Sequence, residues 1–141
     1  MQFGISTHLY HDQRLSRDHL AEIASFGFDS VEVFATRSHF DYHDPTSIGR
    51  LAEWLKETGL RLHGIHAPIT DRLTPPDQWG DVISNAVSDT AKRQNAVREA
   101  DTALNIARKI AATVFVVHLG TPKAQGGENN RTAAFRSIEE I

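Results

Sequence analysis

Gly27-Phe28-Asp29-Ser30-Val31-Glu32-Val33-Phe34 opens on a glycine and runs into a short β-branched stretch with one carboxylate inside it. Gly27 suits the left-handed position past a helix end, and Phe28 supplies the apolar contact beyond it. Ser30 to Phe34 then reads as a buried strand. Upstream, Ser16 is placed to cap a helix carrying Leu20, Ile23 and Ala24 at helical spacing. Downstream, Asp44 caps and Pro45 starts a second helix with Ile48, Leu51, Ala52 and Leu55 on one face, closed by Gly59 and Leu60. The pattern is therefore helix, strand, helix, and it repeats along the chain.

Three more segments read as strands: Phe3-Gly4-Ile5-Ser6, Arg61-Leu62-His63-Gly64-Ile65-His66 and Thr113-Val114-Phe115-Val116-Val117-His118. The last is apolar on both faces, as buried parallel strands tend to be. A third helix is predicted from Asp89 to about Ile110, with Ala96, Ala100, Ala103, Ala107 and Ile110 as a stripe of small residues. A fourth is predicted from Arg131 to Ile141 with Ala134, Phe135 and Ile138 on its apolar face. It ends Ile138-Glu139-Glu140-Ile141, without a stop signal and with acids opposing the helix dipole, as in a chain cut inside a helix. The first two strand-to-strand intervals are about thirty residues, the length of a βαβ unit. The third is longer because residues 67–87 form an extended connection carrying Pro68, Pro75, Pro76, Trp79 and Gly80. Long connections of this kind are commonly lids or binding loops, with Trp79 as an apolar contact for a ligand.

An order of (βα)4 fits a doubly wound sheet or half of a (β/α)8 barrel. A nucleotide-binding doubly wound domain should carry a glycine-rich loop after its first strand. That place holds Ser6-Thr7-His8-Leu9-Tyr10-His11, without glycine, so no nucleotide cofactor is expected. The expected fold class is α/β: the N-terminal (β/α)4 half of a TIM-type barrel, parallel strands with outer helices, as one domain over residues 1–141. A complete barrel needs about 250 residues.

Composition agrees with a globular domain. Of 141 residues, 40% are hydrophobic and 23% charged, and the formal net charge of −3 argues against a nucleic-acid-binding surface. Cysteine is absent, which excludes disulfides, a thiolate nucleophile and Cys-based metal sites. No apolar run reaches the roughly eighteen residues of a membrane span. Strand-like sequence begins directly after Met1, so no signal peptide is expected and a cytoplasmic setting is the default.

Histidine stands out, with eight copies. Alternate strand residues share a face. On that parity Ser6 and His8, Glu32 and Phe34, Leu62, Gly64 and His66, and Val114, Val116 and His118 face inward. His8, Glu32, His66 and His118 then converge at the C-terminal mouth, where such barrels place their chemistry. A carboxylate between Val31 and Val33 needs a cation, a metal or a hydrogen-bond donor. Adjacent strands are about 4.8 Å apart, so His66 and His118 could reach one metal or one substrate oxygen. Parity turns His63 toward the helices as a structural residue. His39, Asp41, Tyr42, His43 and Asp44 cluster after the second strand, either closing over a ligand or simply solvated.

Gly4-Ile5-Ser6-Thr7-His8, Gly27 to Phe34, Gly64-Ile65-His66-Ala67-Pro68 and Val116-Val117-His118-Leu119-Gly120 together resemble the xylose isomerase-like TIM barrels. That superfamily includes sugar isomerases and epimerases, hydroxypyruvate isomerase, inosose dehydratase and endonuclease IV. The resemblance spans the chain but only the first half of the family's barrel. It matches Glu32 to the second-strand glutamate, and His66 and His118 to the third- and fourth-strand histidines. Those histidines ligate metal in the endonuclease IV branch and more often contact substrate in the sugar branch. The sugar branch takes its proton-moving glutamates from strands five to eight, so the catalytic bases are expected beyond Ile141. The resemblance implies part of a sugar or sugar phosphate isomerase or epimerase, inactive as an isolated half. It would shift a proton between adjacent carbons of a small sugar or polyol with a divalent ion (Zn, Mn or Mg). His8, Glu32, His66, His118 and Trp79 would bind substrate, and His66 and His118 would hold the metal. The alternatives are a zinc-dependent phosphodiesterase of the endonuclease IV type and a non-catalytic, self-assembling half-barrel. A homo-oligomer is expected, because open sheet edges invite pairing.

Overall fold

A computed structural model describes residues 3–74, 78–121 and 127–141, with the main chain alone at Thr74, Gln78 and Trp79. The strands are β1 (Gly4–Ser6), β2 (Ser30–Phe34), β3 (Arg61–His66), β4 (Leu73–Thr74), β5 (Gln78–Trp79) and β6 (Val114–Val116). The helices are α1 (Arg17–Ser25), α2 (Pro45–Thr58), α3 (Thr90–Leu104) and α4 (Arg131–Glu140). Single 3₁₀ turns cover Thr7–Tyr10 and Asn105–Arg108. β1, β2, β3 and β6 form one parallel sheet in that order, which is the half-barrel arrangement expected.

The caps act as their residue types suggest. Asp44 accepts the N–H groups of Thr46 and Ser47 at 2.9 and 3.1 Å. Gly27 and Gly59 take φ of +83° and +73°, the left-handed conformation that ends α1 and α2. At Ser16 the helix start is finished by His19, whose Nδ1 accepts the Ser16 N–H at 3.2 Å. That gives His19 a capping role in place of the usual Glu or Gln.

The core lies between the sheet and its helices. Val31, Val33, Leu62 and Ile65 meet Leu20, Ile23, Leu51, Leu55, Ala103 and Ile106, all buried. Three expectations change, two for helices and one for a strand. α3 ends at Leu104 and tightens into a 3₁₀ turn, although Ala96, Ala100 and Ala103 are buried as the small-residue stripe requires. α4 buries Ala133, Ala134 and Ser137 and leaves Phe135 and Ile138 exposed. Its buried face is set by Arg93 of α3, which lies beside Ser137 and grips the Glu140 carboxylate through two 2.9 Å hydrogen bonds. The fourth barrel strand is shorter than Thr113–His118 and lies at the sheet edge, so Val114 is exposed and not buried on both faces.

The parity of β3 is also broken. Ser30 pairs with Arg61 and Val31 with Leu62, but Glu32 pairs with Gly64, which leaves His63 as the extra residue of a bulge. The inward face is therefore Gly64 and His66, preceded by Arg61 and His63. Leu62 packs among the helices, and His63 is exposed on the inner cleft. This reverses the assignment of both residues.

The long connection after β3 holds structure of its own. β4 and β5 form an antiparallel hairpin, with a further bridge from Thr70 to Val82. The Leu73 N–H donates to Ser38 Oγ at 2.9 Å, which seats the hairpin on the loop after β2. Pro75 and Pro76 lie outside the described residues, as does the Trp79 side chain, so the expected cover over the mouth rests on atoms not described.

Candidate functional site

Four rings line up across the C-terminal ends of β1, β2, β3 and β6. His8 sits in the 3₁₀ turn after β1, Phe34 ends β2, His66 ends β3, and His118 lies two residues past β6. The His8 ring meets Phe34 edge-on with centroids 4.5 Å apart, and Phe34 meets His66 edge-on at 5.2 Å. His66 and His118 follow at 4.8 Å, while His11 stacks on the far side of His8 at 4.8 Å.

The last pair has the most informative geometry. His66 Nδ1 lies 2.8 Å from the Ala67 carbonyl and donates its proton there. This makes Nε2 an acceptor, and His118 Nε2 donates to it at 3.1 Å. Two nitrogens bound to one zinc at tetrahedral angles lie about 3.3 Å apart, so the pair is spaced as two ligands of one ion or two donors to one oxygen. Among the described residues no group of three His, Cys, Asp or Glu gathers to hold a metal ion. The pair thus fits part of a metal's coordination shell, and zinc wants three or four ligands.

Burial, followed by the neighbouring His66, holds the His118 imidazole below its usual pKa. Burial, followed by His11 and His66, does the same for His8. The Glu32 carboxylate pulls both in the opposite direction. Both rings are neutral at pH 7, the state that accepts a proton or a metal. Glu32 itself is half-buried and lines an open cleft of about 680 Å³ with Gly4, Ser6, Ser30, Arg61 and His63. It forms no hydrogen bond or ion pair among the described residues. The buried partner anticipated for it is not forced, because this face of the sheet is open.

The loop after β2 does not form a cover. His39 and Tyr42 are buried, and Asp44 caps α2. The Tyr42 hydroxyl donates to Glu99 Oε2 and His43 Nε2 lies 2.9 Å from the same oxygen, fastening the loop to α3. Burial is the largest single influence on the Glu99 carboxyl and pushes its pKa up, but these two hydrogen bonds, with the charges of His43 and Arg37, together outweigh it and hold the carboxyl below its usual pKa. Beneath the rings, Thr7 Oγ1 accepts the Phe34 N–H at 3.0 Å and meets His39 Nε2 at 3.1 Å. Phe34 and Thr7 escaped the sequence reading as site residues. Phe34 was within its reach, since it shares the inward face with Glu32.

The sequence profile of the xylose isomerase-like TIM barrel matches residues 20–141. The chain belongs to this family. Among solved structures, it is similar to AP endonuclease, family 2, from Brucella melitensis, with 19% identity and a TM-score of 0.59 over 99% of this chain and 47% of that one. It is also similar to D-psicose 3-epimerase from Clostridium cellulolyticum, solved with D-tagatose, with 16% identity and a TM-score of 0.62 over 99% of this chain and 46% of that one. No curated protein sequence matches the chain. As a xylose isomerase-like chain it spans under half the length of each structural neighbour, and the shared feature is the barrel fold. No helix among the described residues is long and apolar enough to cross a membrane.

Proposed function

We propose that these residues form the N-terminal half of a sugar isomerase- or epimerase-like barrel that moves a proton between adjacent carbons of a small sugar or polyol. The observation that carries the proposal is the meeting of His8, His66 and His118 near Glu32 at the C-terminal strand ends. Such a set suits hydroxyl and carbonyl oxygens, with the imidazoles as acceptors or donors and Glu32 as an acceptor for a hydroxyl. His66 and His118 would hold a divalent ion, and their nitrogen donors favour Zn over Mn or Mg. When bound, that ion supplies positive charge to substrate oxygens as they become anionic. Trp79 remains the candidate contact from the hairpin, and the cytoplasmic setting belongs to the same proposal.

The 3.1 Å nitrogen spacing also favours a second reading, zinc-dependent phosphodiester cleavage. The net charge of −3 and the carboxylate in the cleft weigh against a DNA-binding groove. Incubation in D2O with small ketoses, beside an abasic-site DNA substrate, separates the two. We expect ketose and Zn²⁺ binding that is lost in His66→Ala and His118→Ala, with no substantial turnover by the 141 residues alone. Robust metal-dependent turnover by a verified monomer overturns the inactive-half reading. DNA cleavage without deuterium uptake into ketoses selects the phosphodiesterase.

Homo-oligomerisation belongs to the proposal as well. Beside the edge strand β6, Val114, Leu119 and Phe135 are 41%, 49% and 58% exposed, a poor surface to leave in water. Sedimentation at micromolar concentration should show a mass above one chain. A compact, monodisperse single-chain species defeats this part of the proposal.

A further inference from the structure

His118 lies past the end of the ladder that carries it. β6 has three residues and one paired neighbour, β3, with His66 opposite Val116. The last main-chain bond between them runs from the Ala67 N–H to the Val116 carbonyl at 2.8 Å. Beyond it, the His118 main chain is held by Asn85, whose Nδ2 donates to the His118 carbonyl at 3.3 Å.

Asn85 is itself fixed from the other side. Its main-chain carbonyl accepts the Ser137 hydroxyl of α4 at 2.7 Å, and the next residue, Ala86, accepts the Asn130 N–H at 2.7 Å. Asn85 is 3% exposed, yet its Oδ1 has no hydrogen-bond partner among the described residues. A buried amide oxygen without a partner is costly. An apolar residue of similar size would avoid that cost, so the amide is retained for its donor. Turning the amide over would set Oδ1 against the His118 carbonyl, so the orientation is determined.

We propose that Asn85 is a positioning residue that sets His118 against His66 by holding the His118 carbonyl, at some expense in stability. The inference rests on His66 and His118 acting as a ligand-holding pair, and it places the control of that pair in the connection after β3 and in α4. Residues that orient a ligating imidazole from outside the first contact layer typically change metal affinity 10- to 100-fold when removed.

Two variants and two readouts test it. Asn85→Leu removes both the donor and the orphaned oxygen. Asn85→Asp keeps the shape and turns a carboxylate oxygen toward the carbonyl. Zn²⁺ affinity, measured by competition with a chromophoric chelator, should fall about tenfold or more in both. The thermal midpoint of Asn85→Leu should stay level or rise. Independently, proton–proton contacts between the His66 and His118 rings, read by NMR without metal, should be present in the parent protein and lost in both variants. Unchanged affinity together with unchanged ring contacts overturns the proposal. So does a fall in stability of Asn85→Leu that matches the fall in affinity, since Asn85 would then be structural only. If the parent binds no Zn²⁺ but the ring contacts vanish in the variants, the metal reading of the pair fails and the positioning role stands. If Asn85→Leu does not fold, Asn85→Asp carries the same comparison.

Discussion

Lowering the pH from 6.5 to 4 should remove about 3 kcal/mol of folding stability through His39 alone. His39 is fully buried, and burial, as the largest cause, lowers its pKa from 6.5 to about 4. Its Nδ1 lies 2.7 Å from the Gln13 carbonyl and must carry the proton. Nε2 is then an acceptor for the Thr7 hydroxyl, which in turn accepts the Phe34 N–H. A second proton on the ring would face a hydroxyl already committed as a donor. The native state therefore refuses a proton that the unfolded chain accepts. Above pH 6.5 both states are neutral and the full stability is present. As the pH falls through 6.5 the unfolded chain is favoured, until the native ring also titrates near 4. Urea unfolding at stepped pH should show a slope between 6.5 and 4 that is shallower by about one proton in His39→Gln. An unchanged slope would place the titration elsewhere, with His8 and His118 as the first candidates because burial lowers them too.

That network also shows what the sequence could and could not disclose. β2, the caps at Ser16 and Asp44, and the glycines closing α1 and α2 were legible because each depends on residues a few positions apart. The convergence of His8, Glu32, His66 and His118 was legible for a different reason: strand ends in a parallel sheet align once the strands are found. The role of His39 was not, since its partners Gln13 and Thr7 lie 26 and 32 residues away in the connection between β1 and α1. Nothing in the local pattern separates a buried imidazole from a solvated one. Asn85 was hidden likewise, because its contacts, His118 and Ser137, lie 33 and 52 residues away. α4 was misfaced because hydrophobicity favoured Phe135 and Ile138, whereas Arg93 and Glu140 chose the other side.

Leu62→Ala should destabilise the fold by about 3 kcal/mol and His63→Ala by less than about 0.5. Strict alternation counted back from His66 assigns the two residues the opposite way, with Leu62 inward and His63 among the helices. The bulge reverses them by setting Leu62 opposite Val31 and advancing to Gly64 opposite Glu32. Leu62 is 5% exposed within the helix-side core, so truncation leaves a cavity between the sheet and its helices. His63 lines the open cleft, where its ring has little packing to lose. The same insertion keeps Gly64 and His66 in register with Glu32 and Phe34, and so brings the His66 ring beside Phe34. Without the extra residue a one-position slip would send every side chain past it to the other face. The bulge is therefore what allows a β3 with a leucine in the core to end with a histidine at the mouth. Chemical denaturation of the two variants decides it: an equal cost at both positions, or a larger one at His63, would restore the unbroken strand, with Leu62 inward and His63 among the helices.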